Sequence, residues 1–339
     1  MADEADQPSA VAVASRVQRL AQTIKADYCC ARKLICVCPT VWATHRGGTV
    51  NFIVYRRFLP ILLVPLMITA CGSGQRSPSG AAGGDAATAP TTSQSVMEGQ
   101  SGGAGQMIFR YDDAASPEAV SGKRIYQDHQ MLEDMADGIN YLFDLPYDIP
   151  VVGLQCDESN AYWNRTDQQM ELCYEFVDDL QSLFGAAGEP DPLAMAMDAT
   201  YATFFHEMGH MVIDIYDLPI TGREEDVADQ VAAFMLLQPG EDEQLDGESV
   251  DVMLAMAELF ELFAAEDGEP DESAFADEHS PDKVRVYNLL CWTFGADPDG
   301  NSGIVDNGLL PEERAVQCED EFEQINRSWI TLLAPHMKD

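Results

Sequence analysis

Positive charge is what this chain has least of. Among 339 residues, 19 Lys and Arg stand against 58 Asp and Glu, a formal net charge of −39. Eight of the basic residues but only four of the acidic ones lie up to Cys71, so the rest of the chain carries eleven against fifty-four. A surface of that sign repels phosphate backbones and excludes nucleic acid as a partner. The acidic residues read as a solvated coat. A membrane-spanning run is also missing. Residues 58–70 form thirteen mostly apolar positions, fewer than the roughly 20 that a bilayer-crossing helix needs. No internal repeat is seen. Methionine is absent between Met1 and Met67.

That short apolar run has a use of its own. Arg56-Arg57 precede it and small residues end it, which is the pattern of a secretory signal. Residues 54–71 are therefore read as a signal peptide. Ile68-Thr69-Ala70-Cys71 resembles the lipobox of bacterial lipoproteins, and the resemblance implies cleavage after Ala70 and lipidation of Cys71. Gly72 follows it, which by the same analogy argues against inner-membrane retention. The expected location is the bacterial cell envelope, on the periplasmic or extracellular face. Residues 1–53 fit no such role, and translation is expected to start at an internal codon such as that of Val50 or Val54. No peptide upstream of Val50 should then be recovered from native protein by mass spectrometry. Cys29, Cys30, Cys36 and Cys38 lie in this leader, where no His or second C-x-x-C completes a metal site. Residues 72–106 hold nine glycines among Ser, Ala and Thr. They read as a flexible tether with a reach of about 30–35 Å.

The domain is expected over 107–339. Met107 to Tyr111 alternates like a strand, Ser116-Pro117-Glu118 looks like a helix start, and an amphipathic pattern follows to about 143. Residues 149–154 read as a strand, and 170–176 as a strand or the start of a helix ending near 184. Helices are expected over 192–218, 223–237, 249–265, 281–294 and 311–333. A few strands in front of many helices indicate an α+β fold. In an exported domain the remaining cysteines suggest two disulfides. The local pairs Cys156–Cys173 and Cys291–Cys318 are the favoured connectivity.

The centre of this pattern is Thr203-Phe204-Phe205-His206-Glu207-Met208-Gly209-His210-Met211-Val212, an H-E-x-x-H inside an apolar helix. His206 and His210 project from one face, where two imidazoles can grip one Zn²⁺. Glu207 lies beside them, placed to take a proton from water. Buried ionisable groups in such a helix are costly without a partner. Catalytic zinc needs a third protein ligand, and the H-x-x-G-x-x-H continuation that would bring a third histidine is absent, since Ile213 and Tyr216 stand where its Gly and His belong. Asp214 is too far along the helix, about 12 Å from the first histidine. The acidic turn Arg223-Glu224-Glu225-Asp226 supplies the ligand, with Glu225 favoured and Glu224 the other choice. Asp229, one turn on, can accept the second N–H of a ligand histidine.

H-E-x-x-H followed by a helix with E-x-x-x-D resembles the gluzincin class of metallopeptidases. Cys156, Asn160-Ala161-Tyr162, Cys173-Tyr174-Glu175, His206 to His210, Glu224 to Asp229 and Tyr287 to Cys291 are together similar to a bacterial domain family of unknown function described as metallopeptidases. The resemblance covers about 107–335 and implies a zinc site and a peptidase with a peptide or protein substrate. The gap between the two motifs is shorter here than in familiar gluzincins. Those enzymes place a late His or Tyr at the developing oxyanion. His279, Tyr287 or Tyr162 could serve that role, with His279 favoured as a catalytic residue. His129 is expected to be a surface or packing residue. Asp297 to Gly303 only superficially looks like a calcium loop, since Ser302 and Gly308 stand at its defining positions, and it reads as a turn. The expected protein is a zinc metallopeptidase anchored to the envelope. A catalytically inactive zinc-binding envelope lipoprotein is the other reading.

Overall fold

The computed structural model describes residues 105–239 and 244–338. The leader, the signal segment with Cys71 and residues 72–104 of the expected tether lie outside the described residues. Gly105 and Gln106, also assigned to the tether, already belong to the domain. The Gly105 N–H donates to the Leu145 carbonyl at 2.8 Å, and the Gln106 N–H donates to Asp148.

β1 (Met107–Tyr111) leads into α1 (Pro117–Asp128) and α2 (Met131–Leu142). Ser116 caps α1 by accepting the Ala119 N–H at 3.0 Å, which satisfies one of the free donors of the first turn. The amphipathic pattern runs across both helices, yet the chain breaks between them at Gln130, with φ 52°. Neither Gly nor Pro marks that break, so periodicity alone reads one helix. β2 (Ile149–Leu154), β3 (Ala161–Asn164) and β4 (Gln169–Cys173) complete a sheet of order β1-β2-β4-β3. β2 is parallel to both neighbours, and covering on both faces explains its unbroken apolar run. β3 is the antiparallel edge strand. The sequence reading missed it, because four residues hold too few alternations to register a period.

Residues 170–176 are both things expected of them: β4 ends at Cys173 and α3 (Tyr174–Ala187) begins at once. Gly122 on α1 lies against this junction, where a Cβ would sit 1.8 Å from the Tyr174 carbonyl oxygen. The helical part follows: α4 (Pro192–Ile215), α5 (Glu224–Leu236), α6 (Gly247–Asp267), the short α7 (Glu272–Ala276) and α8 (Asp282–Ala296). Two short helices, α9 (Gly303–Asp306) and α10 (Glu312–Ala315), precede α11 (Cys318–Leu333), so the stretch expected as one helix from 311 is two. The loop at Asp297 is a turn, its side chain accepting the Gly300 N–H at 2.9 Å. The architecture is the expected α+β, mostly helical with a small four-stranded sheet at the N-terminal side.

Both expected disulfides are present. Cys156–Cys173 ties the loop before β3 to the start of α3, and Cys291–Cys318 ties α8 to the start of α11. The chain also closes on itself. Phe143 bridges Met337, the Asp144 N–H donates to the His336 carbonyl at 2.8 Å, and Tyr216 stacks on the His336 ring.

One acidic contact inside this frame makes a prediction about stability. On α6, burial pushes the Glu258 carboxyl up to about 7, helped by a shared hydrogen bond and charge repulsion with Glu189. A raised carboxyl gives stability that is complete below its ordinary 4.5 and lost as pH rises through about 7. Glu258→Gln mimics the protonated form at every pH. Urea unfolding should show variant and wild type alike near pH 4. At about pH 8 the variant should lead by about 1–2 kcal/mol, a figure discounted for the half-exposed site. A gap that does not depend on pH would refute the assignment.

Candidate metal centre

α4 is built to be buried. Asp191 caps it by accepting the Ala194 N–H at 3.2 Å, Pro192 opens it, and the hydroxyls of Thr200 and Thr203 bond back to carbonyls four residues earlier. These hydroxyls are thus satisfied locally, whereas His206, Glu207, His210 and Asp214 take partners from other elements. α5 crosses it closely at Gly209, where a Cβ would lie 2.8 Å from Ala228 Cα. That crossing puts the acidic first turn of α5 opposite the two histidines, at the helix end that favours negative charge.

The three expected ligand side chains come together there. Glu225 Oε2 lies 3.1 Å from His206 Nε2 and 3.3 Å from His210 Nε2, and the two Nε2 atoms are 3.3 Å apart. A four-coordinate ion with bonds of about 2.0–2.1 Å keeps its ligand atoms about 3.3–3.4 Å apart, so these spacings fit a divalent cation. Glu207 also lies near, all three motif residues offering ligand atoms within 4.8 Å. Its carboxylate, however, is turned to β3 and accepts the Trp163 N–H at 2.8 Å. Distance therefore favours Glu225 as the third donor and leaves Glu207 beside the set.

Each imidazole is oriented through its other nitrogen. His206 Nδ1–H donates to Asp229 Oδ1 at 2.8 Å, and His210 Nδ1–H donates to Glu224 Oε1 at 2.8 Å. Of the two neighbouring acids in the turn, Glu225 faces the Nε2 atoms and Glu224 backs His210. Arginines hold both backing carboxylates: Arg285 lies 2.7 Å from Asp229, and Arg165 pairs with Glu224. Burial disfavours a charged His206, yet its bonds to Asp229 and Glu225 lift it to about 9. Burial also works against a charged Glu225, but hydrogen bonds from both histidines hold it well below the usual carboxylate range. Burial pushes Glu207 above its ordinary value, against the pull of the two histidines.

A cleft of about 540 Å³ opens over the centre, lined among others by Tyr162, Trp163, Arg165, Glu207, Glu225 and His279. His279 arrives on the segment after α7. Its Nε2 lies 3.1 Å from Glu225 Oε2 and its Nδ1–H donates to Asp277 at 3.0 Å. Of the other two oxyanion candidates, Tyr162 lines the cleft and Tyr287 is not among its lining residues.

The family described as "Putative metallopeptidase" matches residues 111–333. The chain belongs to that family. The match spans the whole candidate centre, from Trp163 through Arg285. No curated protein and no solved structure matches the chain. Within this metallopeptidase family member, several of the residues that hold the site were not visible in the sequence. Trp163 clips β3 to α4 twice, through its backbone to Glu207 and through its indole N–H to Asp214 at 3.0 Å. Asp214, unsuited to the metal, finds its use there. Arg285 also went unnoticed, although a lone cation on the buried face of α8 was a usable signal, since a buried charge requires a partner.

Proposed function

We propose that the protein is a zinc-dependent metallopeptidase. The reading is carried by one observation: Glu225 from a second helix meets both Nε2 atoms of the H-E-x-x-H pair at ligand spacing, with Glu207 beside them and outside that set. His206, His210 and Glu225 would hold Zn²⁺, which when bound brings the pKa of water towards 7 and polarises a carbonyl. Glu207 takes the proton of the attacking water and passes it to the leaving amine. Its raised carboxyl suits both directions of transfer, and the Trp163 N–H keeps it aimed. His279, steadied by Asp277 and lining the same cleft, donates to the oxygen that gains charge. The substrate is a peptide or protein.

The disulfides support an oxidising compartment outside the cytoplasm. With the signal at 54–71, they fit an envelope lipoprotein anchored through Cys71. A second reading has a specific observation behind it. His279 Nε2 stands as close to Glu225 as the other imidazoles do, which is what a closed site with four protein ligands would require. The protein would then be an inactive zinc-binding module.

The deciding measurement is metal content followed by cleavage of a mixed peptide library. Purified protein should carry one zinc per chain and cut peptides, a chelator should stop the cutting, and added zinc should restore it. Protein with one zinc that cuts nothing, before and after His279→Ala, supports the inactive module. Protein with no affinity for zinc removes both readings.

A further inference from the structure

We propose that Arg285 is a positioning residue for the metal centre, fixing the His206 imidazole through Asp229. The inference rests on the reading of His206 as a metal ligand. Arg285 grips Asp229 with both arms of its fork: Nε–H donates to Oδ2 at 2.8 Å and Nη2–H donates to Oδ1 at 2.7 Å. The same Oδ1 accepts His206 Nδ1–H at 2.8 Å, and Nη2 itself lies 3.5 Å from that nitrogen. Alone, a carboxylate turns easily about its last torsion, whose energy wells are broad. Two parallel bonds from a planar guanidinium remove that freedom. The guanidinium is seated in turn on the Phe260 ring, 3.8 Å below it. Asp229 is 2% exposed and Arg285 7%, so water cannot take over either contact. The chain Phe260–Arg285–Asp229 thus sets the plane of His206 and leaves Nε2 directed at Glu225.

His210 has a looser version of the same arrangement. Its partner Glu224 has a side chain 30% exposed, held by an Arg165 side chain that is 52% exposed. The rigid half of the centre is therefore His206, and the adjustable half is His210. Lysine cannot replace Arg285 in this role, since it offers one point charge where the carboxylate needs a fork.

The test uses the full chain and zinc itself. Arg285→Lys keeps the buried charge and loses the fork. It should fold, and competition against a chelator should show zinc held about 10–100-fold more weakly. In metal-stripped protein, the ring Nδ1–H proton signal of His206, held on Asp229 at 2.8 Å, should broaden through faster exchange with water. Asp229→Asn with Arg285→Lys should bind zinc no more weakly than Asp229→Asn alone, because the arginine acts only through that carboxylate. Wild-type affinity and ring signals in Arg285→Lys would overturn the proposal, as would additive losses in the double variant. Failure of Arg285→Lys to fold would overturn it too, making the arginine a structural post. If the wild type binds no zinc, the metal reading falls and takes this proposal with it. Tight wild-type binding that Arg285→Lys leaves unchanged removes this proposal alone.

Discussion

Glu207→Gln is expected to keep one zinc per chain and to slow peptide cleavage by about 10²–10⁴-fold, the usual contribution of a proton-transfer group. The two halves of that expectation have separate physical causes. Metal retention follows because the ligand spacing is set by His206, His210 and Glu225, at 3.1–3.3 Å from one another. Glu207 faces Trp163 instead, and the glutamine carbonyl can still accept that N–H. The rate loss follows because an amide cannot take a proton from water. Stability should stay level or rise slightly, since burial already works against the Glu207 charge and a neutral amide escapes that cost. Metal content and library cleavage on the same preparation decide the matter. Unchanged cleavage places the base elsewhere, and loss of zinc makes Glu207 a ligand.

Gly209→Ala is expected to damage folding and site together. The added Cβ would meet Ala228 Cα at 2.8 Å and Cβ at 3.1 Å, where carbon atoms prefer about 3.5–4.0 Å. α5 must therefore retreat by nearly an ångström. Overpacking of this kind costs about 1–3 kcal/mol, readable as a shift of the urea midpoint. Retreat also carries Glu225 away from the histidines, since Glu225 and Ala228 lie on the same helix. Misplacement by about 1 Å can cost about 10²-fold in rate. Zinc affinity and cleavage should fall together in protein that still folds at low temperature. A variant that loses stability but keeps both would show that α5 tilts about its far end and leaves Glu225 in place.

The parts of this architecture that could be read from the sequence are those set by local spacing. A spacing of four from His206 to His210, and again from Glu225 to Asp229, fixes shared helix faces whatever the rest of the chain does. The disulfides were legible for a related reason, with partners only 17 and 27 residues apart. The hidden parts depend on packing between distant segments. Trp163 and Glu207 are 44 residues apart, Arg285 and Asp229 56, and Arg165 and Glu224 59. No periodicity encodes such meetings. They exist because β3 lies against α4 and α8 against α5 and α6. Glu225 was the favoured ligand from the face it shares with Asp229, but the place of Glu224 behind His210 was beyond reach for another reason. Neighbours on a helix point about 100° apart, and only the position of α4 decides which of them faces the metal.

The way the domain closes has a consequence for how it can be handled. Gly105 bridges Leu145 where the chain enters, and Met337 bridges Phe143 where it leaves, so both ends dock on one three-residue stretch. The domain is a nearly complete ring with its opening there. A short linker from Lys338 back to Gly105 would complete the ring, and fresh termini could be opened in a surface loop away from the metal centre. Anything fused at the C-terminus would emerge beside Gly105, where the chain enters the domain.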